Sequence, residues 1–131
     1  MKFTVDTNVL VRAVLQDEPK QARLAAHALR NASLIAIPTP CLCEFVWVLM
    51  RGAGKTKEEV SLAIRALLNT DKVEVNRVAV EAGLTLLEAG GDFADGVIAY
   101  EGAWLGGETF LSFDKQAIAL LKKQGSATQA L

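Results

Sequence analysis

Five acids in this chain stand where carboxylates can be put to chemical use. Asp6 directly follows the run Phe3–Thr4–Val5, and Asp114 directly follows Thr109–Phe110–Leu111–Ser112–Phe113. Asp92 and Asp95 are three apart at the start of a helical pattern, hence on one face. Glu44 is the single acid in the apolar stretch Cys43–Glu44–Phe45–Val46–Trp47–Val48–Leu49–Met50. In open α/β sheets ligands bind beyond the carboxyl ends of strands, and both Asp6 and Asp114 occupy such ends. Carboxylates are hard oxygen ligands that suit Mg²⁺ or Mn²⁺, ions that keep several waters and take only a few protein groups. Acids gathered in one place disfavour each other's ionisation, so a cation is what lets them stay charged together. Metal held this way lowers the pKa of water towards neutrality, and a second ion roughly 4 Å away stabilises the leaving oxygen of a phosphodiester. Rival chemistry is weak: the one histidine, His27, sits in a surface-like helix, and no serine-based triad is apparent.

Each acid also has a purely structural role open to it. Asp92 and Asp114 are well placed as N-caps, and for each taken alone that is the stronger reading. Asp95 favours the positive end of a helix whatever its chemistry. Glu44 could pair with Arg51 or Arg12. Asp6 has the weakest alternative, because it ends a buried strand rather than an arbitrary loop.

The elements that must position these acids follow from hydrophobic spacing and turn residues. Phe3 to Val5 reads as a short buried strand, followed at once by a helix through Val9, Leu10, Ala13 and Val14. Asp17–Glu18–Pro19 turns the chain into a helix from Lys20 to Asn31 with Leu24, Ala28 and Leu29 on one face. Leu34 to Ile37 suits a buried parallel strand. Thr39 is expected as an N-cap with Pro40 in the first helical position. The helix that follows is apolar almost all round, which predicts burial; a lone Glu44 there needs a partner or a metal. Gly52–Ala53–Gly54–Lys55 is a flexible connection and lacks the spacing of a phosphate-binding loop. Thr56 and Glu59 form a capping-box signature for a helix from Lys57 to Leu68. Val73 to Val75 is a strand and Val78 to Glu88 a helix with Val80, Leu84 and Leu87 inward. The last helix, Lys115 to Lys123, leaves residues 124–131 as a loosely ordered tail.

Strands alternating with helices predict a single α/β domain over residues 1–131, and that length suits one domain. Apolar residues make up 51% of the chain, which excludes disorder. The net charge of −1 comes with no basic tract, so a polyanionic ligand would rely on metal ions for much of its attraction. Cys41 and Cys43, two apart on a helix, do not face each other and read as small hydrophobes in a reducing compartment. Neither a signal peptide nor a bilayer-spanning run is visible, which predicts a soluble, cytoplasmic protein without a membrane partner.

Taken in order, Val5–Asp6–Thr7–Asn8–Val9–Leu10–Val11–Arg12, the Glu44 helix, Asp92–Phe93–Ala94–Asp95–Gly96–Val97–Ile98–Ala99 and Leu111–Ser112–Phe113–Asp114 resemble the PIN-domain ribonucleases. They are most similar to the VapC-type toxins of bacterial toxin–antitoxin pairs, from residue 3 to about residue 123. The resemblance implies a three-layer α/β/α PIN-like fold with a central, mainly parallel sheet. It implies a Mg²⁺- or Mn²⁺-dependent endoribonuclease, with Asp6, Glu44 and Asp95 as core metal-binding acids. Asp114 matches a fourth, more variable acid and Asp92 an additional one. Asn8 and Ser112 match polar positions that orient the acids by hydrogen bonds, and Arg12 a basic position common in the toxin branch. Partners implied are an RNA substrate, an inhibitory antitoxin and a second copy in a homodimer. Arg12, Arg51, Lys55 and Lys115 are the candidate RNA contacts. Trp47 and Trp104 exceed what the core of such a domain needs, with at least one expected to pack inside. Gly96 stands where relatives more often carry Ala, which costs up to about 1 kcal/mol of helix propensity. Three other readings are open to these residues: a PIN-like binding module without catalysis, a signalling receiver domain, whose phosphorylated Asp follows a middle strand whereas Asp6 follows the first, and a phosphoaspartyl phosphatase built on Asp6. The phosphatase needs a second acid two residues on, and that position is Asn8.

Overall fold

Three short parallel strands carry the first half of the chain: β1 (Lys2–Thr4), β2 (Leu34–Ala36) and β3 (Val73–Glu74), hydrogen-bonded in that order. Phe3 lies opposite Ile35, and Ile35 opposite Val73. The ladder runs slightly past the strands, since Val5 N–H donates to Ala36 O (3.1 Å) and Ile37 N–H to Glu74 O (3.0 Å). Val5 is therefore held as part of the sheet, which fixes where Asp6 emerges. The structure, a computed structural model, describes all of residues 1–131 and divides into two compact units, Met1–Arg77 and Val78–Leu131.

In the first unit the connections between parallel strands are helical, as such crossovers require. Between β1 and β2 lie α1 (Thr7–Leu15) and α2 (Pro19–Asn31). Gln16 ends α1 in the left-handed region at φ 56°, and its N–H returns to Arg12 O. Pro19 opens α2, where its missing N–H has no cost. From β2 to β3 the chain passes through α3 (Thr39–Trp47), a wider π-helical turn at Val48–Gly52, and α4 (Lys57–Leu68). The capping box of Thr56 and Glu59 is fully formed, with both reciprocal hydrogen bonds present at 3.0 and 3.1 Å. Leu10, Leu42, Phe45, Leu49, Val60 and Ile64 are almost completely buried. At roughly 1.5–3 kcal/mol per large apolar side chain, this cluster is the main favourable term holding the unit.

The second unit takes most of α5 (Arg77–Glu88), then α6 (Phe93–Trp104), β4 (Phe110–Ser112), α7 (Lys115–Lys123) and β5 (Thr128–Ala130). Its core contains Val80, Leu84, Leu86, Leu87 and Phe93. Gly96 explains itself here. A Cβ at that position would run into the Ala82 carbonyl and come within 2.9 Å of Gly83 Cα. Glycine at 96 is thus the residue that lets α6 lie directly against the α5 backbone, and the helix-propensity cost is accepted for close packing.

Several expectations are corrected. Residues 124–131 are no loose tail, because β5 pairs in parallel with β4 and Leu131 N–H donates to Ser112 O (3.0 Å). The expected face of α2 is rotated: Leu24 is 63% exposed while Ala22 and Ala25 are buried. The helix bearing Glu44 is not buried all round, as Trp47 is 64% exposed, and Glu44 itself is exposed. The desolvation argument for Glu44 accordingly falls away. Pro38, not Thr39, occupies the cap position of α3. Trp104 is 76% exposed, so neither tryptophan is a core residue.

Candidate metal-binding acids

The N-cap positions of three helices hold three of the five acids. Asp6 caps α1, its Oδ1 accepting from Thr7 N–H at 2.8 Å. Asp92 caps α6, with Oδ1 accepting from Ala94 N–H at 3.3 Å. Asp114 caps α7, with Oδ1 accepting from both Gln116 N–H (3.0 Å) and Ala117 N–H (3.1 Å). The structural alternative foreseen for Asp92 and Asp114 is thus realised, and Asp6 shares it. Capping does not exhaust these groups, however. Every one of these bonds uses Oδ1 and leaves Oδ2 outside the cap, while the bonded oxygen fixes the carboxylate plane.

Asp6 and Glu44 belong to the first unit and share a neighbour. The Cys41 thiol accepts a 3.7 Å hydrogen bond from Thr7 Oγ1 and is pushed up from its ordinary pKa chiefly by burial. The charges of Asp6 and Glu44 raise it further, so both carboxylates lie within electrostatic reach of one sulfur. Cys41 is a free, buried thiol, in line with its reading as a small hydrophobe. Thr7, buried between Asp6 and the sulfur, helps seat the start of α1.

Asp92, Asp95 and Asp114 form a corresponding group in the second unit. Asp95 is half-buried in the first turn of α6 and carries no hydrogen bond or ion pair. Burial pushes its carboxyl above the ordinary range, and the negative charges of Asp92 and Asp114 push it further.

None of the five acids is matched by a cation of the protein itself. The ion pairs Arg12–Asp17 (3.1 Å) and Lys55–Glu59 (4.0 Å) do not include them. Glu44 therefore pairs with neither Arg51 nor Arg12. Oxygen-only donors, each with an unused oxygen and no protein counter-ion, fit a hard divalent cation. No three His, Cys, Asp or Glu side chains are drawn together tightly enough to enclose an ion.

The supporting residues divide. Ser112 does orient an acid, but through the backbone: its Oγ accepts from Asp114 N–H at 2.9 Å. Asn8 makes no hydrogen bond to Asp6; together with Val9, Arg12, Gln21, Leu24, Ala25 and Ala28 it lines a hollow of ≈ 440 Å³. Arg12 is committed to Gln21 (2.7 Å) and Asp17 (3.1 Å), which binds together α1, its following turn and α2. Lys55 is turned towards Glu59. Arg51 and Lys115 are exposed and form no ion pair, which leaves them available to a polyanion. Sequence reasoning missed the Gln21 and Asp17 anchors of Arg12, for which the only signal was their spacing around the Pro19 turn.

The PIN domain profile matches residues 3–122, nearly the full chain and both units. The chain belongs to the PIN domain family. No curated protein matches it at a significant level. Its mixed α/β composition and parallel strand pairing agree with the three-layer α/β/α PIN-like fold. PIN domains are generally metal-dependent nucleases, hydrolases acting on RNA or DNA, and they typically use divalent ions. No helix is long and apolar enough to cross a membrane.

Proposed function

We propose that this PIN domain is a Mg²⁺- or Mn²⁺-dependent endoribonuclease, the VapC-type toxin of a type II toxin–antitoxin pair, working in the cytoplasm. The observation that carries the catalytic part is the set of five acids without a protein cation, three of them fixed by their own caps with Oδ2 to spare. Asp6, Glu44, Asp95 and Asp114 are the residues that would hold the metal, with Asp92 as an additional acid. A divalent ion supplies charge stabilisation and activation of water for attack on a phosphodiester. The protein's own part is to fix the acids: Thr7 N–H sets Asp6, Ser112 Oγ and the α7 amides set Asp114, and half-burial restricts Asp95. Arg51 and Lys115 contribute attraction for the RNA backbone.

The toxin part rests on the resemblance of the motifs, and the surface is compatible with protein partners. Trp47 and Trp104 are exposed aromatic residues of the type that anchor interfaces. A homodimer and a cognate antitoxin are the partners proposed. Two measurements test the reading. Expression of the chain alone should arrest growth, and co-expression of the product of the neighbouring gene should relieve the arrest. Purified protein should cut single-stranded RNA only with Mg²⁺ or Mn²⁺ present. Full activity in a folded Asp6→Asn variant would overturn the mechanism, and absence of any cleavage would return the chain to the binding-module reading.

A further inference from the structure

Phe113 stands apart from the other phenylalanines. Phe45 and Phe93 are fully buried, Phe3 and Phe110 are half-buried, and Phe113 is 79% exposed. Leaving such a ring in water forgoes a burial term of about 1.5–3 kcal/mol, so its position calls for a reason. The backbone on either side of the ring is held in place. On one side Ser112 O accepts from Leu131 N–H (3.0 Å), and Ser112 Oγ accepts from Asp114 N–H (2.9 Å). On the other, Asp114 Oδ1 is tied to two amides of α7. Phe113 is thus an exposed ring on a pinned segment, next to a candidate metal acid. Lys115, exposed and without an ion pair, follows two residues later.

We infer that Phe113 is a stacking platform for one unpaired base of a single-stranded RNA substrate, an inference that rests on the nuclease reading. A base face stacks on an aromatic ring without regard to sequence, and a neighbouring lysine meets the phosphate that the base carries. Stacking at Phe113 seats the sugar–phosphate backbone beside Asp114. Bases in a duplex are already stacked on each other, so the platform selects single strands or loops over helical RNA. Trp104, the other strongly exposed aromatic of this unit, is the poorer candidate. Its indole N–H donates to Tyr100 Oη (2.6 Å), and it lies at the opposite end of α6 from Asp95.

The test is steady-state cleavage of a short single-stranded RNA by the full chain with Mg²⁺ or Mn²⁺, comparing wild type, Phe113→Ala and Phe113→Trp. An abasic nucleotide is walked along the substrate. Phe113→Ala should raise KM roughly 5- to 150-fold with kcat little changed, and Phe113→Trp should restore it. One abasic position should raise the wild-type KM by a comparable factor and add nothing in Phe113→Ala, because the two changes remove the same contact. A merely structural role for Phe113 would not produce that coupling at one nucleotide. Additive effects at every position, or an unchanged KM in Phe113→Ala, overturn the stacking role while cleavage by wild type leaves the nuclease reading standing. An unchanged KM together with dissociation of a homodimer assigns the ring to a protein interface and overturns it likewise. Failure of wild type to cut any RNA overturns both readings.

Discussion

The two acid groups are mounted alike and solvated differently. In the first unit, Asp6 and Glu44 are both exposed, and the group that registers their charge is a buried thiol, Cys41. In the second, Asp92 and Asp114 are exposed, but Asp95 is half-buried and takes their charge directly on a carboxyl already disfavoured by burial. Water screens the first pair, whereas only a cation or a proton can relieve Asp95. The second group is therefore where metal, pH and fold stability should be most tightly linked.

The largest effect tests what the groups share. Asp6→Asn and Asp95→Asn should each lower metal-dependent RNA cleavage by more than about 100-fold, beyond the range typical for outer-shell changes. Circular dichroism should show both folded, since Asn caps α1 as well as Asp does and Asp95 is not the cap of α6. Loss in one variant alone would mean that the two groups do not serve the same reaction. Next in size comes packing, which distinguishes the units. Gly96→Ala should destabilise by about 1–3 kcal/mol, as overpacking does, seen as a lower midpoint in urea. Thr56→Ala removes the capping box from α4 in the first unit and should cost about 1 kcal/mol by the same measurement.

The smallest expected effect separates the groups most cleanly. Asp95 has a folded pKa above its ordinary value of 3.8, so between those two values the folded chain holds a proton that the unfolded chain has released. Metal-free stability should therefore fall as pH rises through that window, and be regained as pH drops back through it. Asp95→Asn should abolish this component of a thermal-melt pH series, while Asp6→Asn should retain it. Saturating Mg²⁺ should reduce it in wild type, because a bound cation offsets the repulsion. A slope that survives in Asp95→Asn would place its origin elsewhere.

How much could be read beforehand depended on whether the cause was local. The Asp6 turn, the Thr56–Glu59 box and the Asp92 and Asp114 caps were legible because capping is decided within three residues. Parallel strands at Leu34 and Val73 were legible from short apolar runs. Burial was less so: α3 has more apolar positions than the core can use, so Trp47 is left outside and Glu44 with it. Residues Thr128–Ala130 were misread as a tail because they lack any alternation; their strand comes from backbone pairing to β4, which sequence pattern does not report. Gly96 is illegible for the same reason, because the Ala82 carbonyl that excludes a Cβ there comes from a different helix.

The double employment proposed for Asp6, Asp92 and Asp114, as helix caps and as metal-binding acids, sets the routes by which a descendant of this protein could lose the proposed chemistry. Replacement by alanine would strip a helix of its cap at the same step, at a cost of about 0.5–2 kcal/mol each. Replacement by asparagine or serine would silence the carboxylate and leave the helix start intact. Among related chains, those that have become inert scaffolds should accordingly carry Asn, Ser or Thr at these three places, and an intact helix start should not be taken as a sign of surviving activity.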